Sequence, residues 1–278
     1  MTFYVIKGTF HVLGYSPDGD SIRFKANNKK NWTKLFGPPV DLNARQHAQL
    51  RLEAIDTLET HYRNTHQPVE LATRALDFLL HQLHITCVQW DVLRTRITEA
   101  NDGADGYIIS RNVETNRRPV AFVFAGLPPK PDGAKVFFDR DWIRQSINYQ
   151  LIEAGLAYPT YYKGLFPDLR CELTEAVTQA RQANREIWAK DRTNTGFEID
   201  GLESISEQHV VFPKLFRRLA EYLETGGTVE GFGEFLENRA DGVLIISATH
   251  FTHFDNIVEI EGNRVKMTKL PEDLVFEG

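Results

Sequence analysis

Apolar and polar positions first fall into a regular pattern near the start of the chain. Residues 9–13 and 21–26 are short β-rich runs, and Ser16-Pro-Asp-Gly-Asp20 between them is a turn. The pattern predicts a hairpin whose turn presents two carboxylates. Residues 27–48 are polar, with Gly37-Pro38-Pro39 in the middle, and read as a long loop; residues 50–55 read as a third strand. Pro68 then opens a helix in which Leu71, Ala75, Phe78, Leu79 and Leu83 recur at spacings of three and four. Residues 88–97 and 120–124 supply two more strands. Helices are predicted over 142–154, stopped by Gly155, and over 172–188. After Arg192-Thr-Asn-Thr-Gly196 the pattern restarts with an amphipathic helix at 211–222 and a short helix at 231–238. Strands at 242–247, 256–260 and 264–268 follow. The alternation alone gives an α+β chain in two domains, 1–192 and 193–278.

Composition places the chain among folded, water-soluble proteins. Hydrophobic residues make up 42% of its 278 positions, and no apolar run approaches the roughly 18–20 residues that span a bilayer. The first residues, Met1-Thr-Phe-Tyr-Val-Ile-Lys7, lack the charged and long apolar regions of a signal peptide, so a cytoplasmic location is expected. Cys87 and Cys171 lie in apolar segments and are expected to be buried free thiols of a reducing compartment.

Charge changes this picture only when it is divided along the chain. The net charge is −6, yet residues 193–278 hold 7 Lys and Arg against 16 Asp and Glu. Residues 1–192 are therefore basic by 3, and the first 51 carry 8 basic side chains against 3 acidic ones. Local charge governs affinity for a phosphate backbone, so a nucleic-acid partner belongs to the first segment. The acidic segment is expected to compete for that basic surface or to dock a protein partner. His250, His253 and Asp255 lie close together in it and read as a polar turn.

The chemistry gathers in two stretches, Asp18-Gly19-Asp20-Ser21 and Arg51-x4-Asp56-Thr57-x-Glu59. Carboxylates hold a hard cation, a further carboxylate takes a proton from water, and a guanidinium neutralises charge on phosphorus. Metal-assisted cleavage of a phosphodiester needs that combination. In this order the motifs resemble the staphylococcal nuclease (thermonuclease) family. Later landmarks are similar too. Arg118-Pro-Val-Ala-Phe-Val-Phe124 matches the family's second arginine entering a strand. Asn148-Tyr-Gln-Leu-Ile-Glu-Ala-Gly155 with Tyr161, and the segment from Glu172 to Trp188, match its last two helices and a tyrosine. The resemblance covers roughly residues 8–192.

The resemblance implies a five-stranded OB-type β-barrel with three helices, to which 193–278 adds a small α+β domain. It implies Ca²⁺ held by Asp20, Asp56 and the carbonyl of Thr57, with Asp18 orienting metal-bound water. Glu59 would serve as general base. Arg51 and Arg118 would serve as the phosphate-neutralising pair, with Arg117 adjacent as an alternative to Arg118. Tyr161 would contact substrate. DNA or RNA would be cut to 5′-hydroxyl and 3′-phosphate ends; a non-catalytic nucleic-acid-binding or scaffold module is the alternative.

The sequence departs from the family at three places. Leu58 stands where the family has proline. Glu114-Thr115-Asn116-Arg117-Arg118 replaces a turn that usually carries a tyrosine and a lysine. The loop before Arg51 is longer and carries Lys29, Lys30, Trp32 and Lys34, an aromatic among cations that is expected to bind substrate.

Overall fold

The computed structural model describes residues 2–277. Its first strands are β1 (Thr2–His11), β2 (Arg23–Ala26), β3 (Ala48–Gln49), β4 (Arg51–Leu52) and β5 (Ile55–Thr57), followed by α1 (Val69–Gln82). Next come β6 (Gln89–Trp90), β7 (Ile97–Glu99), β8 (Ala104–Val113), β9 (Pro119–Ala125) and β10 (Lys135–Phe137). Then follow α2 (Arg140–Ile143), α3 (Ile147–Glu153), β11 (Ala157–Pro159), β12 (Tyr161–Tyr162) and α4 (Pro167–Gln182). The remainder holds β13 (Phe197–Glu198), α5 (Pro213–Leu223), α6 (Phe232–Arg239), β14 (Gly242–Ile245) and β15 (His250–His253). It ends with β16 (Val258–Glu261), β17 (Arg264–Met267) and β18 (Leu274–Phe276). Among the described residues no helix is long and apolar enough to cross a membrane.

The chain forms two compact units, one running up to Glu53 and including Arg74–Leu151, the other comprising Ala54–Thr73 and the residues from Ile152 onward. In the first unit a seven-stranded sheet runs β3-β2-β1-β8-β9-β4, with β10 also on β1. Its two ends, β3 and β4, are separated in the chain by Leu50 alone. A sheet whose edge strands are that close in sequence has to curl back on itself, and the result is a nearly closed, OB-type barrel. Val5, Ile6, Phe10, Phe24, Ile108, Phe122 and Val123 are buried on the two faces of this sheet. Asn148 on α3 fixes the closing edge. Its Oδ1 accepts from Val123 N at 2.9 Å, and its Nδ2 donates to Glu53 O and Ala121 O.

Several expected elements move. The predicted strand at 88–97 is a hairpin, β6–β7, whose tip leaves Val92 and Leu93 exposed. The central strand is β8, which pairs with β1 from Tyr4↔Ser110 to Phe10↔Ala104. Residues 107–110 of β8 are all buried, so period-two alternation is missing there. The predicted strand at 50–55 breaks at Ala54, whose φ of 69° turns the chain between β4 and β5. Within the expected loop 27–48, Lys29–Lys34 forms a 3₁₀ helix capped by Asn28, and Trp32 is buried with its ring edge against Phe24. Cys87 and Cys171 are both exposed rather than buried, because Cys87 lies beyond the end of α1 and Cys171 on the outer face of α4.

In the second unit β5 pairs with β11 in the register Asp56↔Tyr158. A four-stranded sheet runs β12-β18-β14-β15, and a three-stranded one runs β13-β17-β16. The expected domain boundary at 192/193 is not where the compact units divide. β12, from before that point, pairs in parallel with β18 at the far end of the chain. Tyr158 packs edge-on against both Trp188 and Phe212. Half-buried Asp191 ties the junction together: it accepts from Tyr158 Oη at 2.7 Å and from Thr193 N and Oγ1. Residues 193–278 thus share one apolar core with the strand and helices that precede them.

Candidate active site

Within the first unit, Leu50 N donates to Ile22 O and Leu52 N to Asp20 O, which lays the Asp20 turn beside Arg51. Asp18 closes its own turn, accepting from Gly19 N at 2.8 Å. Arg51 points to Glu114 in the β8–β9 turn, with Nη1 3.4 Å from Oε2. Arg118 grips the same carboxylate harder, donating from Nε at 2.5 Å and from Nη2 at 3.2 Å. Arg117 instead has a positive φ and donates to Pro39 O from an exposed position. This separates the two adjacent arginines: Arg118 joins Arg51 on Glu114, and Arg117 does not. Glu114, which sequence reasoning treated only as a departure from the family turn, is the anion that holds the pair.

The acids of the second stretch are positioned by β5 and the turn after it. Asp56 and Thr57 are both buried on β5; Glu59 follows where the ladder ends. Gln67 fixes that turn: its backbone N–H donates to Glu59 O, its side-chain Oε1 accepts from Glu59 N, and its Nε2 donates to Val211 O. Val211 precedes α5, so one buried glutamine sets both Glu59 and the entry of that helix. Thr57 Oγ1 is buried and has no hydrogen-bond partner among the described residues.

Helix α5 then delivers a cation to the acids. Arg217 Nη1 and Nη2 reach the two oxygens of Asp56 at 3.0 and 2.6 Å, and Nη1 also donates to Glu59 Oε1 at 2.5 Å. Burial opposes the Arg217 charge, but Asp56 first and Glu59 after it hold the guanidinium well above its ordinary range. The contact belongs to a longer seam. Arg217, Glu221 and the C-cap residue Glu224 stand at i, i+4 and i+7, on one side of α5 and its end. Glu221 accepts from Tyr62 Oη at 2.6 Å, and Glu224 from Arg63 Nη1 at 3.2 Å. Residues 56–63 are thereby zipped to the helix by charge. Sequence reasoning placed this helix by its apolar stripe, and the opposite stripe carried the missed signal.

The remaining expected site residues fall elsewhere. Tyr161 is fully buried, and its hydroxyl bonds Thr174 Oγ1 at 2.9 Å; burial pushes its phenol up. Tyr161 is a core residue of the second unit, not a surface that meets substrate. Trp32, buried as described, has no ring face open for stacking. Lys29 and Lys30 are exposed on the 3₁₀ turn.

As the side chains stand, Asp56 and Glu59 do not fit a resident Ca²⁺, because a guanidinium already occupies both oxygens of Asp56 and one of Glu59. No group of three or more His, Cys, Asp or Glu able to hold a metal ion occurs among the described residues. The His250, His253 and Asp255 group is likewise not such a site.

Residues 49–190 match the family model described as staphylococcal nuclease homologue. The match contains Arg51, Asp56, Thr57, Glu59 and Arg118, and it leaves out Asp18 and Asp20. No curated protein matches the chain. With half of its length matched and its first unit an OB-type barrel, the chain belongs to the staphylococcal nuclease homologue family.

Proposed function

We propose that the chain is a latent nuclease, a hydrolase of phosphodiester bonds in DNA, RNA or both whose charged residues are held by internal ion pairs. The observation that carries this reading is Arg217, bidentate on Asp56 and bonded to Glu59. A guanidinium on a carboxylate pair does what a bound cation would do for their charge, and it keeps Glu59 from water. In the active form Glu59 takes a proton from the attacking water as hydroxide adds to phosphorus. The bond to the 5′ oxygen breaks, and that oxygen takes up a proton to leave a 5′-hydroxyl and a 3′-phosphate. Arg51 and Arg118 offer their donors to the phosphoryl oxygens in place of Glu114. Ca²⁺ dependence, expected from the family, is then conditional on the departure of Arg217. Residues 193–278 inhibit by lending a cation to the acids, not through their own acidity.

The same contact favours a second reading, in which Arg217 permanently replaces the cation and the chain binds nucleic acid without cutting it. Hydrolysis of labelled single-stranded DNA and RNA by Arg217→Met, with Ca²⁺ or EDTA, separates the two. The latent nuclease predicts cleavage at least tenfold faster than in the parent, lost in EDTA and in Arg217→Met/Glu59→Gln. A folded Arg217→Met protein that binds both substrates and cuts neither establishes the second reading. Removal of residues 193–278 is not an equivalent test, since it takes β18 and Phe212 out of the core.

A further inference from the structure

Apart from the catalytic set, the first unit has a groove of about 680 Å³, within the range of roughly 300–1,000 Å³ typical of ligand sites. Tyr4, Lys34, Phe36, Arg111 and Lys135 dominate its walls, and no acidic residue lines it. Three cations around one concavity stand out in a chain whose net charge is −6.

Phe36 is the unusual member. Its side chain is 84% exposed, yet its backbone is clamped on both sides. Phe36 N donates to Arg111 O at 2.8 Å and Val113 N donates to Phe36 O at 2.7 Å, so the residue rides on the edge of β8. Gly37 permits this close approach: a Cβ there would lie 2.4 Å from Val113 O, and φ is +107°. Exposing a phenylalanine ring to water is unfavourable, and here the backbone holds the ring in place instead of letting it fold inward. Tyr4 presents a second ring, with Lys34 Nζ 5.9 Å from its centroid. Lys34 also donates to Gly133 O at 2.8 Å, which fixes where its charge stands. Register brings the third cation alongside, because Lys135 on β10 lies opposite Tyr4 on β1.

Two held aromatic rings among three cations are suited to a ligand with exposed π-faces and regularly spaced negative charge. We propose that this groove binds single-stranded nucleic acid, with an unpaired base stacked on Phe36 and backbone phosphates on Lys34, Arg111 and Lys135. This deepens the proposed function, on which the choice of nucleic acid rests, by naming an unpaired strand as its substrate. A duplex keeps its base faces stacked on one another and cannot offer one to the ring.

The test is binding of the full chain to a labelled oligothymidylate of about 12 nucleotides, within the site sizes known for OB folds. It is followed by fluorescence anisotropy in EDTA so that nothing is cut. Phe36→Ala should weaken binding by about tenfold, the equivalent of one stacked base at ~1.4 kcal/mol. Lys34→Gln/Lys135→Gln should lower the slope of log affinity against log salt by about 1.4, as expected for two phosphates of a single strand. Affinities within twofold of the parent for both variants overturn the proposal. An equal loss for duplex and single strand in Phe36→Ala does the same. Cleavage by Arg217→Met with unchanged binding by Phe36→Ala would reject the groove and keep the nuclease. Weakened binding without cleavage would keep the groove and reject the nuclease.

Discussion

Replacing Arg217 by methionine keeps an unbranched apolar stem and removes the guanidinium alone, so it isolates the charge contact. Asp56 and Glu59 keep only 6% and 14% of their side-chain surface exposed, and each would lose its arginine. Three charge-assisted bonds, at 3.0, 2.6 and 2.5 Å, disappear together. Breaking a buried ion pair from one side costs about 3–5 kcal/mol, because the remaining charge loses its partner without regaining water. Arg217 itself retains 22% exposure, so water can reach part of the vacated space, and the cost should sit near the low end, about 3 kcal/mol. The assay is urea denaturation followed by circular dichroism, supported by a Tm lower by roughly 6–12 °C. Adding Asp56→Asn should return part of the loss, because it removes one of the stranded charges; the coupling expected is at least about 1.5 kcal/mol. A loss under about 0.5 kcal/mol, or strictly additive single substitutions, would refute the argument that Arg217 neutralises the two acids.

Glu114→Gln should release Arg51 and Arg118 from their shared anion. We expect tighter binding of single-stranded DNA at low salt and a salt slope steeper by about 1.4; an unchanged slope would mean that Glu114 does not restrain the pair. His47 is pushed down to about 4, by burial first and then by His11, with Lys25 after them. Its folded-state value lies below the unfolded value near 6.5, so its contribution is full above pH 6.5 and is lost as pH falls from 6.5 to about 4. Up to roughly 3 kcal/mol should vanish over that window, and His47→Gln should abolish this part of the acid sensitivity in urea titrations at pH 7 and pH 4.5. Because Cys87 and Cys171 are both exposed, the folded protein should react with a thiol reagent at both positions. Reaction at neither until urea is added would contradict the fold at the end of α1 and on the outer face of α4.

Chemistry carried by neighbours in the chain was legible from the residues themselves. Arg51, Asp56, Thr57 and Glu59 lie within nine positions, so their spacing survives any packing, and together with Asp18-Gly19-Asp20 and the later motifs in order it pointed to the family. Helix α1 was equally plain, since a sustained 3.6-residue period is a local property. The sheet was less so. β8 is covered over 107–110, and a strand enclosed on both faces shows no alternation by which to find it. Trp32 looked like a stacking platform because cations flank it in sequence, yet packing put it under Phe24 and left Phe36 outside.

The charge partners were beyond reach for a different reason. Arg217 lies 161 residues from Asp56 and 158 from Glu59, and no local rule ties those positions together. Which acids and arginines the chain owns, and in what order, is written in its residues, and the family follows from that order. Tertiary structure alone decided what those groups face, because a carboxylate takes whichever cation the fold brings within reach. Here α5 supplies Arg217 to the acids, and the β8–β9 turn supplies Glu114 to the arginines.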